Sequence, residues 1–154
     1  MQHKAARLAA VPAPIIYAIT FGAGVALDRA MGWRLEGGPG IRLAGWLLLV
    51  IGAIIGPGSA LSFAVKRTTL NPVGQPSRLV TGGAFRLTRN PMYLGLAIAY
   101  VGLALMFGWL GPLVLLPLPL IFLNALVIPF EEDRLRGEFG DTFDAYCRRV
   151  RRWL

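Results

Sequence analysis

Two short stretches of the chain hold residue types that could do chemistry. The first, TRNPMYLG at Thr88–Gly95, sets an arginine, an asparagine, a proline and a tyrosine just before a long apolar run. The second is a pair of glutamates, Glu131 and Glu132, just after another apolar run. A guanidinium binds a carboxylate through two parallel hydrogen bonds. A carboxylate accepts hydrogen bonds from an ammonium group or from a ribose diol. A ligand with an amino-acid moiety would satisfy Arg89 and the glutamates, and a plain interfacial ion pair would explain the same residues.

Four apolar stretches must position these residues. Each is close to the roughly 20 residues that a membrane-spanning helix needs, and they run Val11–Leu27, Leu43–Val65, Met92–Trp109 and Leu110–Phe130. The chain is 55% hydrophobic and 16% charged, with a mean hydropathy of +0.58, which lies outside the soluble range. The sequence predicts one all-α integral membrane domain, 1–154, with about four transmembrane helices. The first stretch is interpreted as a retained span, since GVALDRA lacks a convincing cleavage site.

The distribution of basic residues predicts the orientation. Of the 16 lysines and arginines, all but three lie in the two termini and in the loop 66–89 between the second and third spans. With four spans these regions share one side, which the positive-inside rule places in the cytoplasm. We therefore expect both termini and the chemistry to be cytoplasmic, in a prokaryotic inner membrane. The net charge is +8. The basic residues that produce it flank apolar segments and form no separate basic domain, so nucleic acid is not expected as a partner.

No metal site is expected. Cys147 is the single cysteine and His3, near the N-terminus, is the single histidine. Zinc and iron sites need several such ligands, so the sequence gives no cluster from which to build one.

Prolines and small residues predict the character of the second and fourth spans. Pro57 lies in the second, and three prolines lie in the fourth, at Pro112, Pro117 and Pro119. Each removes a backbone donor, which favours a bent helix. The stretch GAIIGPGSA, Gly52–Ala60, favours close helix packing, with a lipid-facing opening as the alternative.

The last part of the chain changes character. A short helix is predicted to end at Gly140, and Asp141 is predicted to cap a second helix. The apolar positions of that helix follow helical spacing, at Phe143, Tyr146, Cys147, Val150 and Leu154. Its arginines fall mostly on other faces, which predicts an amphipathic helix on the inner membrane surface.

Taken together, GAFRLTRNPMYLG at Gly83–Gly95 and EEDRLRGEFGDTFDAYCRRVRRWL at Glu131–Leu154 resemble a family. It is the family of integral-membrane methyltransferases that includes isoprenylcysteine carboxyl methyltransferases and phospholipid N-methyltransferases. Both blocks occur in the family's order, and the resemblance covers about residues 68–154, the implied cofactor-binding half. Asn90 stands where many members have histidine, and Phe143 stands where a tyrosine is usual.

The resemblance implies S-adenosylmethionine as cofactor and a lipid or small amphiphile as methyl acceptor. Prenylcysteine-like carboxylates, phospholipid amines and small hydrophobic thiols all stay open, as does the choice between O-, N- and S-methylation. Arg89 and Arg149 are the implied catalytic residues, with Arg149 turned over the hairpin ends and Arg148, Arg151 and Arg152 reaching lipid headgroups. The implied cofactor-binding residues are Gly83, Arg89, Asn90, Pro91, Tyr93, Gly95, Glu131, Glu132 and Tyr146.

Two other function classes compete with methyl transfer. Membrane sterol reductases bind NADPH behind an Arg-His-Pro-Asn-Tyr-type motif, but here Met92 follows the proline. A non-enzymatic membrane scaffold would bind no cofactor. Binding of NADPH without S-adenosylmethionine would favour the reductase, and binding of neither would favour the scaffold.

Overall fold

The structure is a computed structural model that describes residues 11–65 and 78–154, all of them in helices, turns or irregular segments. The N-terminal residues Lys4 and Arg7, and the first part of the basic loop, lie outside the described residues. Within the described part no strand occurs, so the all-α prediction is confirmed. The elements are α1 (Ala13–Met31), α2 (Pro39–Val65), a 3₁₀ turn (Gly83–Arg86), α3 (Pro91–Phe107), α4 (Gly111–Leu115), α5 (Pro117–Phe122), a π-helical segment (Leu123–Val127) and α6 (Ile128–Arg149).

Two helical stretches are long and apolar enough to cross a membrane. One is Pro39–Ser62 in α2, with a mean hydropathy of 1.9, and the other is the rod Gly111–Arg149, with 2.4 in its most apolar window. The helix α3 is apolar but shorter, with 17 residues. By length and composition these two stretches could cross a membrane, whereas the number of four spans stays a prediction.

The helices α2 and α3 pack through glycines. A Cβ added at Gly52 would lie 2.5 Å from the backbone nitrogen of Ala99, and one added at Gly95 would lie 2.5 Å from that of Gly56. Gly45 and Gly102 face each other in the same way, further along the two helices. Such close backbone approach is typical of helix pairs in membranes, where packing replaces the hydrophobic effect. We call these five positions, Gly45, Gly52, Gly56, Gly95 and Gly102, the glycine seam.

The helix α1 packs on the chain that follows α3. Gly24 of α1 lies so close to Gly111 and Pro112 that a side chain at Gly24 would meet their backbone. The Phe21 ring meets the rings of Tyr100 and Trp109 edge to face, with centroids 4.8 and 5.6 Å away. These contacts fix α1 against the hairpin that α3 forms with the rod.

Prolines divide the rod into short helical elements, and the bend predicted at Pro57 of α2 stays a prediction. Pro112 and Pro117 stand in the first turns of the short helices α4 and α5, where the missing N–H has no helical partner to lose. The π-helical segment then leads into α6. By contrast, α2 runs through Pro57 as one continuous helix.

The break at Gly140 lies where the sequence predicts it. Gly140 has φ 46° and ψ −126°, a non-helical conformation between two helical parts of α6. This left-handed φ favours glycine, since a Cβ would be strained there. Beyond the break, Phe143 and Tyr146 are 1% and 5% exposed. These apolar positions therefore pack inside the protein, whereas the sequence prediction turned them toward the membrane surface.

Candidate functional site

Three charged side chains meet where α3 begins and α6 ends. Arg89 Nη2 lies 2.8 Å from Glu132 Oε1, and Arg152 Nη2 lies 2.6 Å from Glu132 Oε2. Arg152 Nε also donates to Glu132 Oε1, at 3.1 Å. The side chains of Arg89, Glu132 and Arg152 are 16%, 13% and 32% exposed. We call these three residues the charged cluster, and the predicted proximity of Arg89 to the glutamate pair is confirmed.

Arg89 also closes the C-terminal end of α6. Its Nη1 donates to the backbone carbonyls of Cys147 and Val150, at 3.2 and 3.1 Å. The last carbonyls of a helix have no partner within the helix, and a basic side chain commonly satisfies them. One guanidinium thus bonds the carboxylate at one end of α6 and the free carbonyls at the other.

The electrostatics of the cluster favour its charged form. Two guanidinium groups against one carboxylate stabilise the ionised form of Glu132. The hydrogen bond to Glu132 raises the pKa of the Arg152 guanidinium. An ion pair with such bidentate contacts is worth more than an exposed single contact.

The last five residues, 150–154, cross over the RNP motif, and we call them the C-terminal strap. The Arg89 backbone N–H donates to the Arg151 carbonyl at 2.9 Å. The Thr88 hydroxyl and the Asn90 side-chain amide both donate to the Arg152 carbonyl, at 3.0 and 2.9 Å. Trp153 Nε1 donates to Asn124 Oδ1 at 3.3 Å, which ties the strap to the π-helical segment.

Glu131 stands apart from its neighbour. The Tyr93 hydroxyl donates to Glu131 Oε1 at 2.6 Å. The ion pairs between described residues include Glu132 twice and Glu131 not at all. The adjacent glutamates therefore differ in role: Glu132 is paired by two guanidinium groups, whereas the Glu131 carboxyl accepts from the Tyr93 hydroxyl and is paired by no guanidinium of the described residues.

The other cofactor-binding residues predicted from the sequence lie at the start of α3, in the glycine seam, near the end of α6 and in the 3₁₀ turn. Asn90 precedes α3 and Pro91 opens it. Gly95 belongs to the glycine seam and is packed against Gly56. The Tyr146 hydroxyl donates to the Phe85 carbonyl at 2.7 Å, next to the 3₁₀ turn. Gly83, with φ 63°, starts that turn, and a Cβ there would meet open space.

The predicted placement of two arginines is wrong. Arg149 is exposed, and within the part of the chain that the structure describes its Nε donates to the carbonyl of Ala145, one turn earlier in its own helix. Arg152, expected at the lipid headgroups, is the residue that reaches the cluster. The physical reason is that α6 ends at Arg149 and Val150 is extended, with φ −125° and ψ 129°. The catalytic role assigned to Arg149 stays a prediction without a contact in this site.

Sequence reasoning missed four residues that hold the site together. Thr88 is buried, and its hydroxyl accepts from the Asn90 backbone N–H at 3.1 Å. This threonine-to-N–H turn is a local pattern that the sequence does offer, since Thr88 stands two residues before Asn90. The other three, Asn124, Arg152 and Trp153, depend on the path of the strap and have no local signal.

One donor of the cluster is left over. Arg89 Nε is buried and lacks a hydrogen-bond partner among the described residues. A buried donor without a partner is costly, and such groups call for an explanation. Together with Glu131, it gives the site one N–H donor and one carboxylate that a bound zwitterion would use.

Comparison with known proteins decides the family. The phospholipid methyltransferase family model matches residues 41–142, more than half of the chain. The chain belongs to the phospholipid methyltransferase family. The family that the sequence resembles is thereby confirmed, and the chain is a membrane methyltransferase in the general sense of that family. An uncharacterized protein of Haemophilus influenzae is 34% identical over 67 residues, which cover 41% of this chain and all of that protein. No solved structure matches the chain.

Family membership bears directly on the site. The matched range includes Arg89, Tyr93 and both glutamates, and it ends within α6, before the strap. It favours neither the reductase nor the scaffold. The charged cluster therefore lies in a methyltransferase, at the ends of apolar helices.

Proposed function

We propose that the chain is an S-adenosylmethionine-dependent methyltransferase that acts on a lipophilic acceptor at the membrane. The strongest support for S-adenosylmethionine as cofactor is one observation at Glu131 and Arg89. In a chain of the phospholipid methyltransferase family, the Tyr93 hydroxyl donates to Glu131, while the buried Arg89 Nε has no hydrogen-bond partner in residues 11–65 and 78–154. An amino-acid end carries the ammonium and the carboxylate that this carboxylate and this N–H would bind.

The residues fit that end of the cofactor with fewer contacts than the sequence predicts. Both terminal nitrogens of Arg89 are engaged, and both oxygens of Glu132 accept from guanidinium groups. Glu131 would hold the ammonium, and Arg89 Nε would donate to the carboxylate. The Tyr93 hydroxyl would fix the Glu131 side chain. Asn90, Pro91 and Tyr146 would act through the backbone that they position.

The chain itself has little chemistry to perform. When bound, S-adenosylmethionine supplies a methyl group that its sulfonium already activates for in-line displacement. The work of the protein is then to orient the reactants and to keep water out. The C-terminal strap covers the start of α3, and the apolar helices border the site, so both tasks fall to residues already described.

The acceptor that we propose is a lipid or a small amphiphile that reaches the site from the bilayer. Large apolar side chains are exposed along α2 and the rod, among them Ile54 at 67% and Ile121 at 63%. Lipid would cover such faces, so a lipophilic acceptor can approach laterally. A screen with isotope-labelled methyl donor would compare prenylcysteines, phosphatidylethanolamine and hydrophobic thiols. Exclusive methylation of soluble proteins would contradict the proposal.

The proposed topology has four spans and both termini in the cytoplasm of a prokaryotic cell, with the protein in the inner membrane. The Arg89 and Glu131 face is then cytoplasmic. Reporter fusions at the two termini and in the loop after α1 would test this arrangement. Opposite signals from the two termini would contradict it.

The decisive test of the cofactor is a calorimetric titration of the purified protein in detergent. We expect Glu131→Gln to weaken S-adenosylmethionine binding about tenfold or more, which corresponds to about 1.4 kcal/mol or above. Glu138→Gln is the matched control, because Glu138 is an exposed glutamate of the same helix. Equal affinities of the wild type and both variants would remove Glu131 from the site. Binding of NADPH in place of S-adenosylmethionine would support the reductase instead.

A further inference from the structure

A cavity lies at the other end of α3, where α1 and α3 both end. It has a volume of about 290 Å³ and is lined by Val25, Asp28, Arg29, Arg34, Phe107 and Trp109. The charged cluster is at the start of α3, which has 17 residues. At about 1.5 Å per residue the two ends are about 25 Å apart. The cavity is therefore separate from the candidate methyl-transfer site.

Asp28 is the unusual residue of this cavity. It is 4% exposed, and its Oδ1 accepts from the Gly111 backbone N–H at 2.7 Å. Its Oδ2 is buried and has no hydrogen-bond partner among the described residues. No ion pair between described residues includes Asp28. A buried carboxylate without a counter-charge is costly, so a bound cation at Oδ2 would remove a real penalty.

The remaining lining residues indicate which other chemical groups a ligand with that cation would carry. Arg29 and Arg34 are exposed arginines that face the same cavity, and guanidinium groups bind phosphate oxygens through paired N–H donors. The rings of Phe107 and Trp109 are stacked, with centroids 4.6 Å apart. Aromatic faces attract ammonium groups. The cavity is thus lined by one carboxylate, two guanidinium groups and two aromatic rings.

We propose that this cavity binds a zwitterion that carries an ammonium group and a phosphate, with the ammonium at Asp28 Oδ2 and the phosphate at Arg29 and Arg34. A membrane lipid headgroup and a free aminophosphate share this chemistry. Met31 and Phe107, at 58% and 52% exposure, present apolar surface near the cavity, which an acyl chain would cover. The site does not depend on the cofactor proposed above.

The test is calorimetry on the full chain in nonionic detergent with three probes. They are dihexanoyl phosphatidylethanolamine, soluble glycerophosphoethanolamine and dihexanoyl phosphatidylglycerol, which lacks the amine. We expect Asp28→Asn and Arg34→Gln each to weaken binding of the phosphatidylethanolamine at least tenfold. Arg148→Gln removes an exposed arginine at the opposite end of the molecule and is expected to bind this probe as the wild type does. Glu131→Gln alters the candidate methyl-transfer site, where phosphatidylethanolamine is one of the acceptors proposed above, so this variant reports binding of the probe at that site.

Each outcome either tests the proposal or distinguishes a lipid from a free ligand. Asparagine keeps an oxygen for the Gly111 N–H, and if that variant still fails to fold, the Arg34 variant decides alone. Unchanged affinity in the variants at both positions would overturn the proposal, as would equal binding of phosphatidylglycerol or a loss confined to Glu131→Gln. Glycerophosphoethanolamine that binds as tightly as the lipid supports the zwitterion site with a free ligand. Binding at least tenfold weaker supports it with a lipid.

Discussion

The glycine seam and the C-terminal strap both contact α3, yet different interactions hold them. Along the seam, backbone meets backbone because glycine has no side chain. At the strap, the contact with the start of α3 consists of charged and polar groups, from Arg89, Thr88 and Asn90 to the carbonyls of residues 151 and 152. The backbone packing of the seam tolerates no added side-chain volume. The contacts of the strap depend instead on charge and on hydrogen-bond partners.

This difference indicates that the seam supports the fold, whereas the strap belongs to the candidate site. The seam lies along the middle of α2 and α3, where a rigid helix pair is needed in lipid. The strap lies where the helices end, close to Arg89, whose Nε has no hydrogen-bond partner among the described residues, and to the glutamate pair. We expect changes in the seam to affect the whole fold, and changes in the strap to affect the site locally.

The largest effect is expected in the seam. A side chain at Gly52 would meet the backbone of Ala99, which cannot move without shifting a helix. Gly52→Leu is expected to destabilise the protein by about 3 kcal/mol, at the upper end of overpacking effects. The measurement is the thermal unfolding midpoint in detergent.

Gly58→Leu is the control for that prediction. Gly58 lies in the same helix, is exposed, and has open space at its Cβ. Leucine there is expected to be neutral or slightly stabilising, since glycine is a poor helix former by about 1 kcal/mol. Similar losses at both positions would mean that α2 and α3 do not pack through the seam.

A smaller and more local effect is expected at Glu132. Glu132→Gln leaves Arg89 and Arg152 without the carboxylate that they share, at a cost of about 2 kcal/mol for hydrogen bonds between charged groups. Hydrogen exchange, followed by mass spectrometry, is expected to become faster in the strap and at Arg89, whose amide donates to Arg151. Exchange in the middle of α3 is expected to stay unchanged. Uniformly faster exchange along α3 would contradict the separation of the two regions.

The smallest effect distinguishes two arginines. Arg152→Ala is expected to loosen the strap by about 1 kcal/mol, because Arg152 is about one-third exposed and contributes less than a buried ion pair. Arg149→Ala removes an exposed arginine whose hydrogen bond to the described residues is to its own helix, so the strap is expected to exchange as in the wild type. A larger effect of Arg149 on the strap would restore the placement that the sequence suggested.

Some of this site was predictable because it depends on order along the chain. The turn between α3 and the rod brings the start of one apolar segment to the end of the next, so Arg89 and the glutamates had to meet. The small residues at Gly52 and Gly56 likewise predicted close packing, and both lie in the seam. The break at Gly140 followed from glycine itself.

Other features depend on contacts that a single sequence does not reveal. Which arginine of the last turn reaches Glu132 depends on where α6 stops, and helical spacing continued past Arg149 gives the wrong residue. Gly95 matched a cofactor motif, but its neighbour is Gly56 of α2, which only the helix pairing shows. Asp28 attracted no functional interpretation, since its burial becomes visible only when Gly111 packs against α1.

The π-helical segment Leu123–Val127 sets the rotational phase of all that follows it. A π turn contains one residue more than an α turn, so deleting one residue there would let the rod continue as an α-helix. Each residue of an α-helix turns the chain by about 100°, so side chains downstream would rotate by that angle. Glu131 and Glu132 would then face away from Tyr93 and Arg89. The spacing between the prolines and the glutamate pair is therefore fixed by geometry, and an alignment of relatives that opens a gap inside these five residues would misplace both carboxylates.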